Sequence, residues 1–133
     1  MSDRSLARAL ERGELPQGFH HAQHLRVACA YLDELDSAEA AGARMAEVLR
    51  RFAASVGQPE KYHHTITIFW IRMLARACAG AGTTDFDAIA LRYPALLDKD
   101  LVGRFYSKAA LDSSDARTGW VDPDLQPLSL QCR

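Results

Sequence analysis

The stretch DSAEAAGARMAEVLRRFAASVG, residues 36–57, has the pattern of an amphipathic helix. Its apolar side chains recur at spacings of three and four, which places them on one face of an α-helix. Asp36 is followed three positions later by Glu39, the spacing of a capping box, and Gly57 is a typical helix end. The stretch therefore predicts a core helix whose apolar face other elements must cover. That face contains Ala41, Met45, Val48, Leu49, Phe52 and Val56.

The sequence on both sides of this helix also favours helical structure. Alanine, leucine and arginine are abundant, and runs of β-branched residues are rare. Pro59 suits a first helical position. Thr84 or Asp85 suits the cap of a shorter helix that ends before the next proline. The predicted helices cover residues 3–13, 19–35, 36–57, 59–79, 84–93 and 94–106.

The predicted fold is an all-α, single-domain helical bundle of about five to six helices, with a non-helical C-terminal tail packed on it. A chain of 133 residues is long enough to bury a core without a disulfide or a structural metal. From Ser107 onward the helical period is lost, yet the segment stays too apolar for a solvated linker. We expect an N-terminal helix and turn in residues 1–18, a helical core in 19–106 and a wrapping tail in 107–133.

The composition is that of a globular protein, with 48% hydrophobic and 25% charged residues. The formal net charge of −1 provides no basic field for nucleic acid or an anionic membrane. No run of apolar residues is long enough for a signal peptide or a membrane span. We therefore expect a cytoplasmic protein with neither nucleic acid nor a membrane as its partner.

Cysteine usage gives no indication of a disulfide framework. The three cysteines are Cys29, Cys78 and Cys132, an odd number without a C-x-x-C pair. This pattern argues against both structural disulfides and a thiolate zinc site. We expect reduced thiols, with Cys78 acting as a small apolar core residue.

The five histidines occur in two groups, His20, His21 and His24 in the first and His63 and His64 in the second. At about 100° per residue, His20 and His24, which are four residues apart, fall on the apolar face of their helix. His63 falls on the apolar face of its own helix. The two helices are joined by one intervening helix, so an up-down-up arrangement makes them parallel. We therefore expect both groups to meet at one end of the bundle.

The preferred hypothesis is a divalent metal site for zinc, iron or a similar ion, with an open position for water. Two imidazoles at i and i+4 project from one helical face, and a third from a neighbouring helix completes a set typical of catalytic zinc. Such a metal would act as a Lewis acid or supply hydroxide. HAQH lacks the glutamate of H-E-x-x-H, so zincin chemistry is not expected. The predicted metal ligands are His20, His24 and His63. The predicted supporting or ligand-binding residues are His21, His64, Thr67, Tyr62, Tyr106 and Arg117.

Two alternatives remain open. In one, the same pocket binds a small molecule without metal, or the imidazoles act as general acid and base, with Tyr62, Tyr106, Ser107 and Arg117 near the ligand. In the other, the protein is a non-catalytic interaction module. Its histidines are then buried and neutral, and they bond one another, Thr67 or carbonyls of the tail. No organic cofactor is implied, a homo-oligomer is compatible with so small a bundle, and enzymatic activity stays undecided.

Four stretches carry a resemblance to small bacterial helical proteins. They are FHHAQHLRVA at 19–28, KYHHTITIFW at 61–70, YSKAALDSSDAR at 106–117 and VDPDLQPL at 121–128. The resemblance covers most of the chain after residue 18. It implies neither a reaction nor a catalytic residue, but it does imply that the tail belongs to the same unit as the histidines.

Overall fold

The computed structural model describes residues 2–14 and 20–131, and the regular elements in these two ranges are helices without any strand. The predicted single-domain all-α bundle is confirmed. The α-helices are α1 (Asp3–Glu11), α2 (His21–Glu34), α3 (Ala38–Ser55), α4 (His64–Ala81), α5 (Phe86–Arg92), α6 (Lys108–Asp112) and α7 (Ser114–Thr118). Short 3-10 helices occupy Pro59–Lys61, Pro94–Leu97 and Lys99–Arg104. Residues 15–18 of the predicted N-terminal turn, the predicted helix start at residue 19 and the thiol of Cys132 lie outside the described residues.

Helices α2, α3 and α4 form the centre of the bundle, and each packs against the other two. Helix α1 packs on α2, where Arg8 pairs with Glu34 at 2.8 Å and the Tyr31 hydroxyl donates to Glu11 at 2.6 Å. No helix in the described part of the chain is long and apolar enough to cross a membrane. The largest fully buried side chains include Leu25, Tyr31, Val48, Phe69, Ile71, Met73, Leu74 and Tyr106.

Two of the predicted helix starts are wrong, because the residue that caps each helix lies further along the chain than predicted. Ser37, not Asp36, caps α3, and its hydroxyl accepts from the Ala40 N–H at 3.0 Å. The helix predicted from residue 59 begins instead at His64. Pro59–Lys61 forms a separate 3-10 turn, after which the backbone is extended through His63. The main chain therefore turns just before α4, and the side chain of His63 becomes available as a cap.

The single helix predicted for residues 94–106 is two 3-10 helices, because the chain is extended at Asp98 between them. The Asp98 carboxylate then accepts from the Asp100 N–H at 2.9 Å and caps the second of the two. The first of these helices begins at Pro94, which supplies a preset φ angle there. This connection leaves Leu96 and Leu101 in the core.

The predicted non-helical tail is helical in its first part, since Ser107 and Ser113 each cap a one-turn helix, α6 and α7. From Gly119 to residue 131 the tail has no helix. It crosses the start of α4, where the Thr65 hydroxyl donates to the Gly119 carbonyl at 2.8 Å. The buried Tyr106 hydroxyl donates to the Val121 carbonyl at 2.7 Å. The tail is thus attached to the bundle by hydrogen bonds as well as by apolar contact.

Candidate functional site

His20 lies outside the apolar face on which the sequence pattern placed it. It is the N-cap residue of α2, with extended backbone, and its side chain is exposed. Its backbone N–H donates to the Gln23 side chain at 2.7 Å. The inward orientation predicted for His20 is wrong because a cap residue precedes the helix and does not follow the helical rotation.

His21 is the first residue of α2 and connects that helix to the turn beginning at Pro94. Its Nε2 lies 2.9 Å from the Leu96 carbonyl, which requires the proton on Nε2. The edge of the ring contacts Trp70, with the ring centroids 4.6 Å apart. His21 is therefore held by a hydrogen bond and an aromatic contact at the edge of the apolar core.

His24 lies one turn into α2 and is half-buried. Burial, and secondly the neighbouring His21, lower the pKa of His24 to about 4. A buried imidazolium would lose hydration, so the ring is neutral at pH 7. A neutral imidazole has one donor and one acceptor nitrogen, and it adds no charge to its apolar surroundings.

His63 uses both ring nitrogens within the fold. Nδ1 accepts from the Ile66 N–H at 3.2 Å and caps α4. Nε2 donates to the Leu111 carbonyl at 2.7 Å, which ties the start of α4 to the tail. The Thr67 hydroxyl donates to the His63 carbonyl at 2.8 Å. Because one nitrogen accepts and the other donates, this arrangement requires the neutral ring with its proton on Nε2.

His64 and Tyr62 form a polar contact on the side of α4 that faces Arg50. The Tyr62 hydroxyl donates to His64 Nδ1 at 2.8 Å, and the Arg50 guanidinium lies 4.8 Å from the centroid of the Tyr62 ring. Burial, then the charge of Arg50 and the neighbouring His63, lower the pKa of His64. Tyr62 lines the first of the two cavities described below, but His64 lines neither.

Tyr106 and Arg117, which the sequence pattern grouped with the pocket, lie at a different place. Burial raises the pKa of Tyr106 to about 12, and its hydroxyl bonds the tail. Arg117 is an exposed residue of α7. Both line a cavity of about 460 Å³ between the tail and the 3-10 helix Lys99–Arg104. His63 is the one histidine that borders this cavity. Neither residue reaches the environment of His24.

Two adjoining cavities of about 270 and 300 Å³ lie between α2, α3 and α4 at the end where α2 and α4 begin. They share four lining residues, His24, Leu49, Ile66 and Thr67. The first is otherwise lined by Phe52, Ala53, Val56, Gln58, Lys61, Tyr62 and His63. The second is otherwise lined by His21, Ala28, Met45, Trp70, Ile71 and Lys99. The expected meeting of the two histidine groups at one end therefore holds for His21, His24 and His63.

Sequence reasoning missed the contribution of α3 to this site. Leu49, Phe52 and Val56 were expected in the core helix, and their spacing does place them on one face. A hydrophobic period cannot distinguish a side chain that contacts another side chain from one that borders a cavity. The exposed Lys61 and Lys99 carry no local pattern that would have indicated their place at the cavities.

The metal hypothesis depends on three histidines that the fold treats differently. Within residues 2–14 and 20–131, no group of three or more histidine, cysteine, aspartate or glutamate side chains is arranged to hold a metal ion. His20 is exposed, His24 is half-buried, and His63 would have to give up its bond to Ile66 or to Leu111. Metal binding by His20, His24 and His63 stays a prediction.

Comparisons with protein-family models, with curated proteins and with solved structures find no match to this chain. A functional hypothesis therefore has to come from the residues themselves.

Proposed function

We propose that this protein binds a small, uncharged and largely apolar molecule in the two cavities around His24. The observation that supports the proposal is that the two cavities adjoin, because the side chains of His24, Leu49, Ile66 and Thr67 border both. A ligand that enters one cavity is then beside the other. This is the metal-free alternative among the hypotheses drawn from the sequence.

The size and lining of the cavities suit such a ligand. Small-molecule sites typically have volumes of about 300–1,000 Å³ and are mostly apolar, with a few convergent polar groups. Each cavity here lies near the lower end of that range. Leu49, Phe52 and Ile66 supply apolar surface, while Thr67 and Tyr62 supply hydroxyl groups. A bicyclic aromatic or a short aliphatic alcohol has matching dimensions and chemistry.

The charge state of His24 favours a neutral ligand. Burial already keeps this imidazole neutral at pH 7, so the interior of the site has a low capacity to solvate charge. The charged lining residues, Lys61 and Lys99, are exposed. An uncharged molecule can therefore occupy the interior without the large desolvation cost of an ion, and any polar end of it can remain near the lysines.

The test uses indole and 1-octanol as probes, measured by isothermal titration calorimetry and by amide chemical-shift changes in the full-length protein. We expect saturable binding of at least one probe, with shifts concentrated at the starts of α2 and α4. Ala53 lines the first cavity and its neighbour Ala54 is exposed outside it, so the two positions form a matched pair.

Ala53→Phe fills the cavity and should weaken binding by about tenfold or more, a loss of at least about 1.4 kcal/mol. Ala54→Phe adds the same ring outside the cavity and should leave the affinity unchanged. If neither probe binds at millimolar concentration, or if both variants weaken binding equally, the proposed site is wrong.

A further inference from the structure

The two described cysteines are far apart in sequence but lie at a similar level along two packed helices. Cys29 on α2 and Cys78 on α4 are both reduced. They lie between two contacts that join α2 to α4 and the residues after it, the His21–Trp70 ring contact and the hydrogen bond from the Thr84 hydroxyl to Asp33. Helices α2 and α4 pack directly against each other. Nothing in the proposed ligand site uses this pair, since neither cysteine lines the cavities around His24.

The residues beside the pair are small, which allows the helices to approach closely. The local sequences are VACA at 27–30 and ARACAGA at 75–81. Ala28, Ala30 and Ala77 are each at most 2% exposed. A disulfide needs Cα atoms about 4.4–6.8 Å apart, a separation that helices reach only where their facing residues are small.

The two thiols differ in exposure. Cys29 is 1% exposed, whereas Cys78 is partly accessible to solvent. We propose that Cys29 and Cys78 are a peroxide-sensitive modification site, in which Cys78 is oxidised first and Cys29 then closes a disulfide between α2 and α4. The proposed disulfide does not involve the ligand site. The sequence predicted reduced thiols, and the proposal concerns the form that they take after oxidation.

The electrostatics of the pair support this order. The neighbouring Cys29 thiol lowers the pKa of Cys78, while the Cys78 thiol, together with burial, raises the pKa of Cys29. The thiolate is the reactive form of cysteine. Asp33 near Cys78 opposes the thiolate, but its carboxylate is already engaged by Arg4 and by the Thr84 hydroxyl.

Hydrogen peroxide is the oxidant in the proposed reaction. The Cys78 thiolate attacks one peroxide oxygen, the O–O bond breaks, and the departing hydroxide takes up a proton to leave as water, giving a sulfenic acid on Cys78. The Cys29 thiol then attacks the Cys78 sulfur as its proton passes to the departing hydroxyl. A second water leaves, and one S–S bond has formed at the expense of two S–H bonds.

The experiment uses the full chain with Cys132→Ser, so that only the two described cysteines can react. After treatment with hydrogen peroxide, the intact mass should fall by about 2 Da. A non-reducing tryptic digest should contain peptides 27–44 and 77–92 linked to each other. The oxidised monomer should also unfold at a higher temperature than the reduced one, and a reductant should reverse both changes.

Two further variants in the same background separate the roles of the thiols, and far-UV circular dichroism checks that each is folded. Cys29→Ala should leave a sulfenic acid on Cys78 that dimedone captures, whereas Cys78→Ala should leave Cys29 unlabelled. The proposal is overturned if the parent accumulates sulfinic acid on Cys78 without the linked peptides, or if the disulfide joins separate molecules. Faster labelling of Cys29 than of Cys78 would overturn the proposed order.

Discussion

Acid should destabilise this protein through His24 before its carboxylates are protonated. The pKa of His24 is about 4 in the folded protein and 6.5 without the fold, because burial opposes the charged ring. Between these values the unfolded chain binds more protons than the folded one, so the free energy of unfolding decreases as the pH falls. The stability is fully present above pH 6.5 and is lost progressively down to about pH 4.

The expected loss follows from the two pKa values. A difference of about 2.5 between them corresponds to about 3 kcal/mol at pH 4 and about 2 kcal/mol at pH 5. The carboxylates of Asp33, Asp112 and Asp124 have pKa values held below 3.8 by their hydrogen bonds, so their contribution is lost mainly at lower pH. The interval from pH 7.5 to pH 5 therefore isolates the histidines.

The assay is urea denaturation at pH 7.5, 6 and 5, comparing the parent with His24→Phe. Phenylalanine retains an aromatic ring of similar shape but cannot bind a proton, so the loss of about 2 kcal/mol should largely disappear. His64, whose pKa burial also lowers, leaves a smaller slope that His64→Gln identifies. His20→Gln is the matched control, because His20 is exposed at the helix start. An unchanged slope in His24→Phe would refute the half-buried, neutral His24.

Two other substitutions test the packing. His63→Ala should cost about 2 kcal/mol with or without added zinc, because it removes both the cap of α4 and the bond to the Leu111 carbonyl; His63→Asn should retain the cap and recover about half. Zinc-dependent stability that His63→Ala abolishes would favour the metal hypothesis instead. Gly80→Ala should lower the free energy of unfolding by about 1–2 kcal/mol, because the added Cβ overlaps the buried Tyr93 hydroxyl. Helix propensity alone would predict the opposite sign, since alanine favours a helix more than glycine does. Gly103→Ala, which meets no neighbouring atom, is the thermal-melting control.

The helices that the sequence predicts best are those whose apolar period is long. Helix α3 shows this, because its repeated apolar spacing predicts its extent to within two residues at each end and its buried face from Ala41 to Leu49. The prediction that places Val56 on the same face is wrong, since Val56 is the C-cap residue and is 53% exposed. The connection after Pro94 was harder to predict, since a proline and an aspartate allow an α-helix or consecutive 3-10 turns. In the structure the connection forms two 3-10 helices, and Leu96 and Leu101 on them are buried in the core.

The tail illustrates a second limit. Its apolar residues correctly indicated that it packs on the bundle, but a helix of one turn has too few residues to produce a hydrophobic period. The signals for α6 and α7 are instead the serines at 107 and 113, whose hydroxyls accept from backbone N–H groups at the two helix starts. Serine is also common in turns, so this signal alone does not separate a short helix from a loop.

The histidines show why the candidate site could be located but not assembled from the sequence. In both His-His pairs, 20–21 and 63–64, the first histidine is the N-cap and the second is the first helical residue. A helical projection treats all four as helical residues and puts His20 and His63 on the apolar faces, yet the extended backbone of a cap moves its side chain away from the projected position. For His63 this displacement lets one nitrogen accept from the helix and the other bind the tail. His24, one full turn into α2, is the histidine whose position the projection describes correctly, and it is the one that borders both cavities. A function built on this cluster should therefore depend on His24 far more than on either N-cap histidine.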